Sequence, residues 1–152
     1  GDMVKIDVGG RVDGYCSDLT RVVFIHRIPP RFRRLYEHVL AAQSAAIRSI
    51  RPGAPMCDAY AAAVDRLKQA GMDRHFPHGL GHGIGLDIHE APRISRRPAG
   101  PFQAGMVVTV EPGVYYPGFG GVRIEDDVLV TNSGCEILSH LERDLESMVV
   151  EA

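Results

Sequence analysis

The hydrophobic pattern switches between two periods along the chain, and each switch marks an element. Met3 to Val8 is apolar and β-branched, Gly9, Gly10 and Gly14 punctuate a turn, and Thr20 to Ile25 is again rich in strand formers. This run predicts a β-hairpin. After Pro29-Pro30, Leu35, Val39, Ala42, Ala46 and Ile50 recur at helical spacing until Pro52-Gly53 stops them, so an amphipathic helix is expected over 31–50. Met56 to Ala70, with Asp58 near its start, Val64 and Leu67 in its stripe and Gly71 where a left-handed cap belongs, predicts a second helix.

Residues 75–89 (His-Phe-Pro-His-Gly-Leu-Gly-His-Gly-Ile-Gly-Leu-Asp-Ile-His) hold too much glycine for a helix and too little alternation for an ordinary strand. A functional loop or a strained strand is expected there. Met106 to Val110 and Val122 to Val130 read as apolar strands around Gly118, Gly120 and Gly121, a second hairpin. Thr131-Asn-Ser-Gly signals a turn before a short last strand at Glu136-Ile-Leu, and Leu141 onward is expected to be an acidic, weakly patterned tail.

Composition narrows the function classes. With 152 residues and 45% hydrophobic content, one domain with its own core is expected. The net charge of −2, from 17 basic and 19 acidic residues spread along the chain, gives no footprint for nucleic acid or an anionic membrane. The densest basic stretch, Arg27 to Arg34, reads as the solvated start of a helix. No apolar run approaches the roughly 18 residues of a membrane span, and the first residues lack a signal-peptide pattern. Cys16, Cys57 and Cys135 lie far apart with no CxxC spacing, which argues against a disulfide framework or thiolate zinc site and fits a reducing cytoplasm. The chain enters a strand almost at once, as a piece of a longer protein would.

The chemistry is carried by a repeat. Val-Lys-Ile-Asp7-Val-Gly followed by Ser-Asp18-Leu-Thr parallels Val-Thr-Val-Glu111-Pro-Gly followed by Ile-Glu125-Asp-Asp, so each hairpin bears a carboxylate on both arms. Positions 7 and 18 are centred near Val12 and Asp13, and positions 111 and 125 on Gly118, so each pair is expected to converge on one face. Taken singly, Asp7 or Asp18 could cap a turn, and Glu125 beside Asp126-Asp127 could belong to a solvated acidic edge. Burying such carboxylates between Ile6 and Val8, or between Val110 and Pro112, costs several kcal/mol unless cations or hydrogen bonds compensate. With His82, the set of four carboxylates and one imidazole suits two divalent ions such as Mn, Co, Fe or Zn.

Four segments carry a resemblance: Ile-Asp7-Val-Gly with Gly14-Tyr-Cys-Ser-Asp18-Leu-Thr-Arg; His78-Gly-Leu-Gly-His82-Gly-Ile-Gly-Leu-Asp-Ile-His89-Glu; Val-Thr-Val-Glu111-Pro-Gly-Val-Tyr; and Val-Arg123-Ile-Glu125-Asp-Asp. In order and residue type the chain resembles the pita-bread metallopeptidases, and within them the proline dipeptidase and Xaa-Pro aminopeptidase branch, from Gly1 to about Ser139. Methionine aminopeptidases share the ligand set, but His78 and the Asp-Leu-Thr-Arg phrase resemble the proline-specific branch. Val22 departs from it, standing where that branch often has a second Thr.

The resemblance implies an α+β fold, a curved, mostly antiparallel sheet backed by helices, with residues 1–152 forming the C-terminal portion of one catalytic domain and a tail from about 140. It implies that Asp7 chelates one metal, that Asp18 and Glu125 bridge both, and that His82 and Glu111 complete the second, with Mn the first candidate. Glu111 would also shuttle the proton, His89 and His78 would flank the substrate, and Arg123 would orient a carboxylate or meet the substrate C-terminus. Tyr115 and Asp87 are candidates for supporting roles. The implied substrate is a short proline-containing peptide, in a full-length protein expected to be a homodimer. The family's first half-domain, which precedes the segment like Val4 to Asp7, is not in these residues, so an unpaired sheet edge and an open metal site are expected. Two other readings are a creatinase-type C–N hydrolase and an inert pita-bread binding module; the complete ligand set argues against both.

Overall fold

The computed structural model describes residues 1–151 as an α+β fold in which every strand pairing but one is antiparallel. Strand β1 (Met3–Val12) and strand β2 (Tyr15–Ile25) form the first hairpin, closed by Asp13 and Gly14 at φ of 51° and 88°. Positive φ at both central residues lets a two-residue turn follow the twist of its strands, and Asp-Gly is a favoured pair for it. The turn therefore sits one residue later than the spacing of Asp7 and Asp18 suggests. Asp7 faces Thr20 and Asp18 faces Gly9, so the two carboxylates are diagonal neighbours rather than opposite partners. A displacement of two residues keeps both on one face of the sheet.

Helix α1 (Pro30–Ser49) follows, and helix α2 (Met56–Gln69) packs beside it. Pro30 opens α1 where its missing N–H costs nothing, and Arg31, Arg33 and Arg34 are exposed, as expected of a solvated first turn. The buried stripe Phe32, Leu35, Tyr36, Val39, Ala42, Ala46 and Ile47 meets Val22, Phe24, Val114 and Val122 of the strands. Each large apolar side chain so buried contributes about 1.5–3 kcal/mol. Alanines 59 and 63 of α2 are fully buried, and their small size lets elements approach closely. Among the described residues no helix is long and apolar enough to cross a membrane, and the three cysteines are free.

Strand β3 (Gly81–Gly83) lies inside a five-stranded sheet ordered β4-β3-β5-β8-β9, with β4 Glu90–Ile94, β5 Val107–Val110, β8 Asp126–Val130 and β9 Cys135–Ile137. The Gly-rich segment thus supplies a short, fully buried strand with a bulge between His82 and Gly83. Its glycines are required by contact: a Cβ on Gly81 would lie 1.9 Å from the carbonyl oxygen of Thr109.

Strands β6 (Gly113–Tyr116) and β7 (Gly120–Arg123) extend the β5–β8 pairing as a separate ladder in the same register, centred on Gly118. The expected strand from Val122 to Val130 is therefore broken at Ile124-Glu125. The break has a local cause, since Pro112 offers no N–H to its partner strand. Freed from the ladder, Glu111 N–H donates to Leu80 O (2.8 Å) and Glu125 N–H to Thr20 O (3.2 Å), tying both glutamates to neighbouring strands.

Residues 141–150, expected as an acidic, weakly patterned tail, pack onto the fold. Leu145 and Met148 are buried, and strand β10 (Val149–Val150) adds to β2 in parallel. Apolar positions 145, 148 and 149 are too few to show a period, so the segment's fold is set by what it packs on. On the other side of that hairpin, β1 is an edge strand whose Val4, Ile6 and Val8 are exposed.

Candidate metal centre

Five elements bring the five predicted ligands together: Asp7 from β1, Asp18 from β2, His82 from β3, Glu111 just after β5 and Glu125 just before β8. Three overlapping sets form, Asp7 with Asp18 and Glu125, His82 with Glu111 and Glu125, and Asp18 with His82 and His89; in each, one donor atom per residue lies within 4.8 Å of the others. Glu125 is shared by the first two sets and is 2% exposed, whereas the Asp7 side chain stands at the open rim.

The imidazole of His82 is held in one orientation. Its Nδ1 lies 3.0 Å from Gly83 O, so the proton belongs on that nitrogen and the lone pair on Nε2. Nε2 stands 3.3 Å from Glu111 Oε1 and 3.8 Å from Asp18 Oδ2. Two threonines that β-propensity alone marks as strand formers hold the glutamates. Thr20 Oγ1 donates to Glu125 Oε2 (2.5 Å), and Thr109 Oγ1 donates to Glu111 Oε1 (3.2 Å) while accepting from His82 N–H (3.1 Å).

Arg123 is the cation within the cluster. It pairs with Asp7, its Nε donates to Thr20 Oγ1 (3.0 Å), and the same nitrogen lies 3.7 Å from Glu125 Oε2. Arg123 thus stands against the Asp7 carboxylate at the rim of the cluster. His78 Nε2 bonds Tyr115 OH at 3.1 Å while Nδ1 faces Gly79 O, and burial lowers its pKa. His89 is exposed, its ring centroid 4.5 Å from that of His82. A cavity of about 210 Å³ is lined by His78, His82, His89, Glu111, Arg123 and Arg93, the last directly across the β3–β4 ladder from His82. Asp87 is not brought in: it is exposed in the loop before β4, where its N–H is held by Glu90.

The electrostatics record the crowding. Burial, then Glu111 and Asp18, push Glu125 up to about 8 against the relief from Thr20 and Arg123. Burial also raises Glu111, with Arg123 opposing, and Asp18, with Asp7 adding to it. Asp127, expected as part of a possible acidic edge, is buried and raised to about 6 by burial and Asp18; its Oδ2 accepts from Asp18 N–H (3.0 Å) and fixes the backbone beneath that carboxylate. Its other oxygen is buried without a hydrogen-bond partner. A buried cluster of carboxylates with raised proton affinities and one imidazole lone pair aimed inward is a donor set that suits hard or borderline divalent ions. The residues present fit such ions.

The fold is that of the pita-bread metallopeptidases. The chain belongs to metallopeptidase family M24, whose pattern matches residues 1–132. It is similar to dipeptidase PepE from Mycobacterium ulcerans (42% identity, TM-score 0.95, covering 100% of this chain and 41% of that one). It is also similar to the prolidase from Pyrococcus furiosus (43%, TM-score 0.91, 93% and 42%) and to the X-Pro aminopeptidase from Thermotoga maritima (38%, TM-score 0.93, 100% and 42%). The chain spans about 40% of the length of the curated relatives it matches.

Proposed function

We propose that these residues are the metal-bearing, C-terminal portion of a peptidase that hydrolyses the bond before proline, in Xaa-Pro dipeptides or at the N-terminus of Xaa-Pro peptides. The observation that carries the reading is the convergence of Asp7, Asp18, His82, Glu111 and Glu125 in overlapping donor sets. Asp7 would hold one ion, Asp18 and Glu125 both, and His82 with Glu111 the second; Mn is the first candidate. When bound, two such ions lower the pKa of water and stabilise charge on a carbonyl oxygen.

The chain's own groups supply the rest. Glu111, half-buried with its pKa raised by burial, accepts the proton of the attacking water and delivers it to the proline nitrogen as the C–N bond breaks. His89, exposed beside His82, donates to the developing oxyanion. His78, kept neutral by burial and held by Tyr115, lines the substrate side of the cavity. Arg123 keeps Asp7 oriented. No step needs an N–H on the scissile bond, which an Xaa-Pro imide lacks.

The test is hydrolysis of Xaa-Pro dipeptides, longer Xaa-Pro peptides and Met-Ala peptides by the full-length protein loaded with Mn or Co. Xaa-Pro substrates should be cleaved, and Glu111→Gln should cut turnover about 10²–10⁴-fold. Undiminished turnover in that variant would overturn the proton-transfer role, and a preference for Met-Ala would favour a methionine aminopeptidase-like enzyme.

A further inference from the structure

Directly behind the ligands lies a buried ionic cluster that the proposed chemistry does not use. Arg21 is 2% exposed and sits one residue past Thr20 on β2, so its side chain points away from the metal face. Its guanidinium has five N–H donors, and five acceptors meet them. Nη1 donates to Glu125 O (2.6 Å) and Thr20 O (3.0 Å), Nη2 to Asp126 Oδ1 (2.6 Å) and Leu141 O (2.7 Å), and Nε to Glu142 O (2.9 Å). Asp126 is fully buried, and its second oxygen accepts from Gln43 of α1 (2.8 Å) and Arg143 (3.2 Å). Tyr36 of α1 donates to Arg143 O (3.0 Å), which holds the segment bearing Leu141 and Glu142 over the cluster.

We infer that Arg21 is a positioning residue that fixes Glu125 relative to Asp18 by gripping the Glu125 backbone from behind the sheet, and that residues 141–143 complete this grip. The reason lies in the broken ladder. Glu125 falls between β7 and β8, its N–H already bound to Thr20 O. Without Arg21 Nη1, the Glu125 carbonyl would lose this buried donor, and the peptide that aims the shared carboxylate could rotate. The same nitrogen holds Thr20 O, and Thr20 Oγ1 holds the Glu125 carboxylate, so one guanidinium constrains both ends of that ligand. Lysine, with three donors and no planar fork, cannot reproduce five directed bonds.

The inference rests on the two-ion reading, and its test reads metal binding rather than turnover. In the full-length protein, titration calorimetry with Mn²⁺ and the visible absorption of bound Co²⁺ are compared between the unaltered protein, Arg21→Lys and, as a fold-weakening control in α2, Leu67→Ala. Arg21→Lys should lower metal affinity about 10–100-fold and change the intensity of the cobalt bands. Leu67→Ala should lower the melting temperature while leaving both metal readouts as they were. Equal affinity and an identical cobalt spectrum in Arg21→Lys would overturn the inference and leave the two-ion reading standing. An unaltered protein that binds no metal would overturn both. Should Arg21→Lys fail to fold, Asp126→Asn, which keeps an oxygen for Nη2, serves instead, with an expected loss of about tenfold and the same overturning result.

Discussion

Glu125 carries the largest electrostatic penalty in the site, and its consequences can be measured without substrate. Its folded pKa is about 8 against an ordinary 4.5, so the metal-free folded state holds the proton more tightly than the unfolded chain. The contribution is complete below about pH 4.5, is lost as pH rises toward 8, and is gone above it. Urea melts of metal-free protein should show this component declining across that window, and Mn²⁺ should restore stability most at the alkaline end, where the ion meets a carboxylate already deprotonated. A flat profile would contradict the crowding described. Gly81 tests packing at the same scale: Gly81→Ala should cost about 1–3 kcal/mol or more, read by chemical denaturation, because its Cβ would collide with Thr109 O. The five candidate ligands were legible because carboxylates recur on both arms of two apolar hairpins and His82 stands in a Gly-rich segment. Thr20 and Thr109 were not, since threonine in a strand needs no further explanation, and neither was Arg93, whose place opposite His82 depends on strand pairing.

At the scale of elements, hairpin symmetry was readable where the turn was unambiguous. The second hairpin is centred on Gly118, where the spacing of Glu111 and Glu125 puts it. The first is displaced by one residue, because Asp13-Gly14 suits positive φ at both positions and Val12-Asp13 does not. The last segment was illegible for a different reason: Leu141 and Glu142 act through their backbone carbonyls, which leave no trace in residue type, and Arg143, besides its carbonyl, meets a buried Asp126 that only the folded chain brings to it. Deleting residues 145–152 removes the buried Leu145 and Met148 and the β10 pairing. Stability should fall by roughly 3 kcal/mol or more on the burial of those two side chains, seen as a lower urea midpoint; an unchanged midpoint would show that this segment does not hold to the fold.

For the whole molecule, the five candidate ligands are brought together while one flank stays open. Strand β1 presents an unpaired edge and exposed Val4, Ile6 and Val8, beside a groove that Leu19, Val23 and Met148 also line. Such an edge is a template for association. The 152-residue chain alone should self-associate at micromolar concentration, and Ile6→Lys should reduce this in light scattering; persistent monomer in the unaltered chain would contradict it. The hairpins and helices were legible in the pattern and the fold class through the resemblance its motifs carry, but which surfaces would be covered was not.

In the proposed enzyme, five side chains from five elements form one two-ion centre. Titration calorimetry of the metal-free, full-length protein with Mn²⁺, followed on Asp7→Asn, His82→Ala and Glu125→Gln, tests it most directly. Two ions per chain are expected, with selective loss of one in Asp7→Asn and in His82→Ala and weakening of both in Glu125→Gln. A single ion per chain, or binding indifferent to Glu125→Gln, would contradict it.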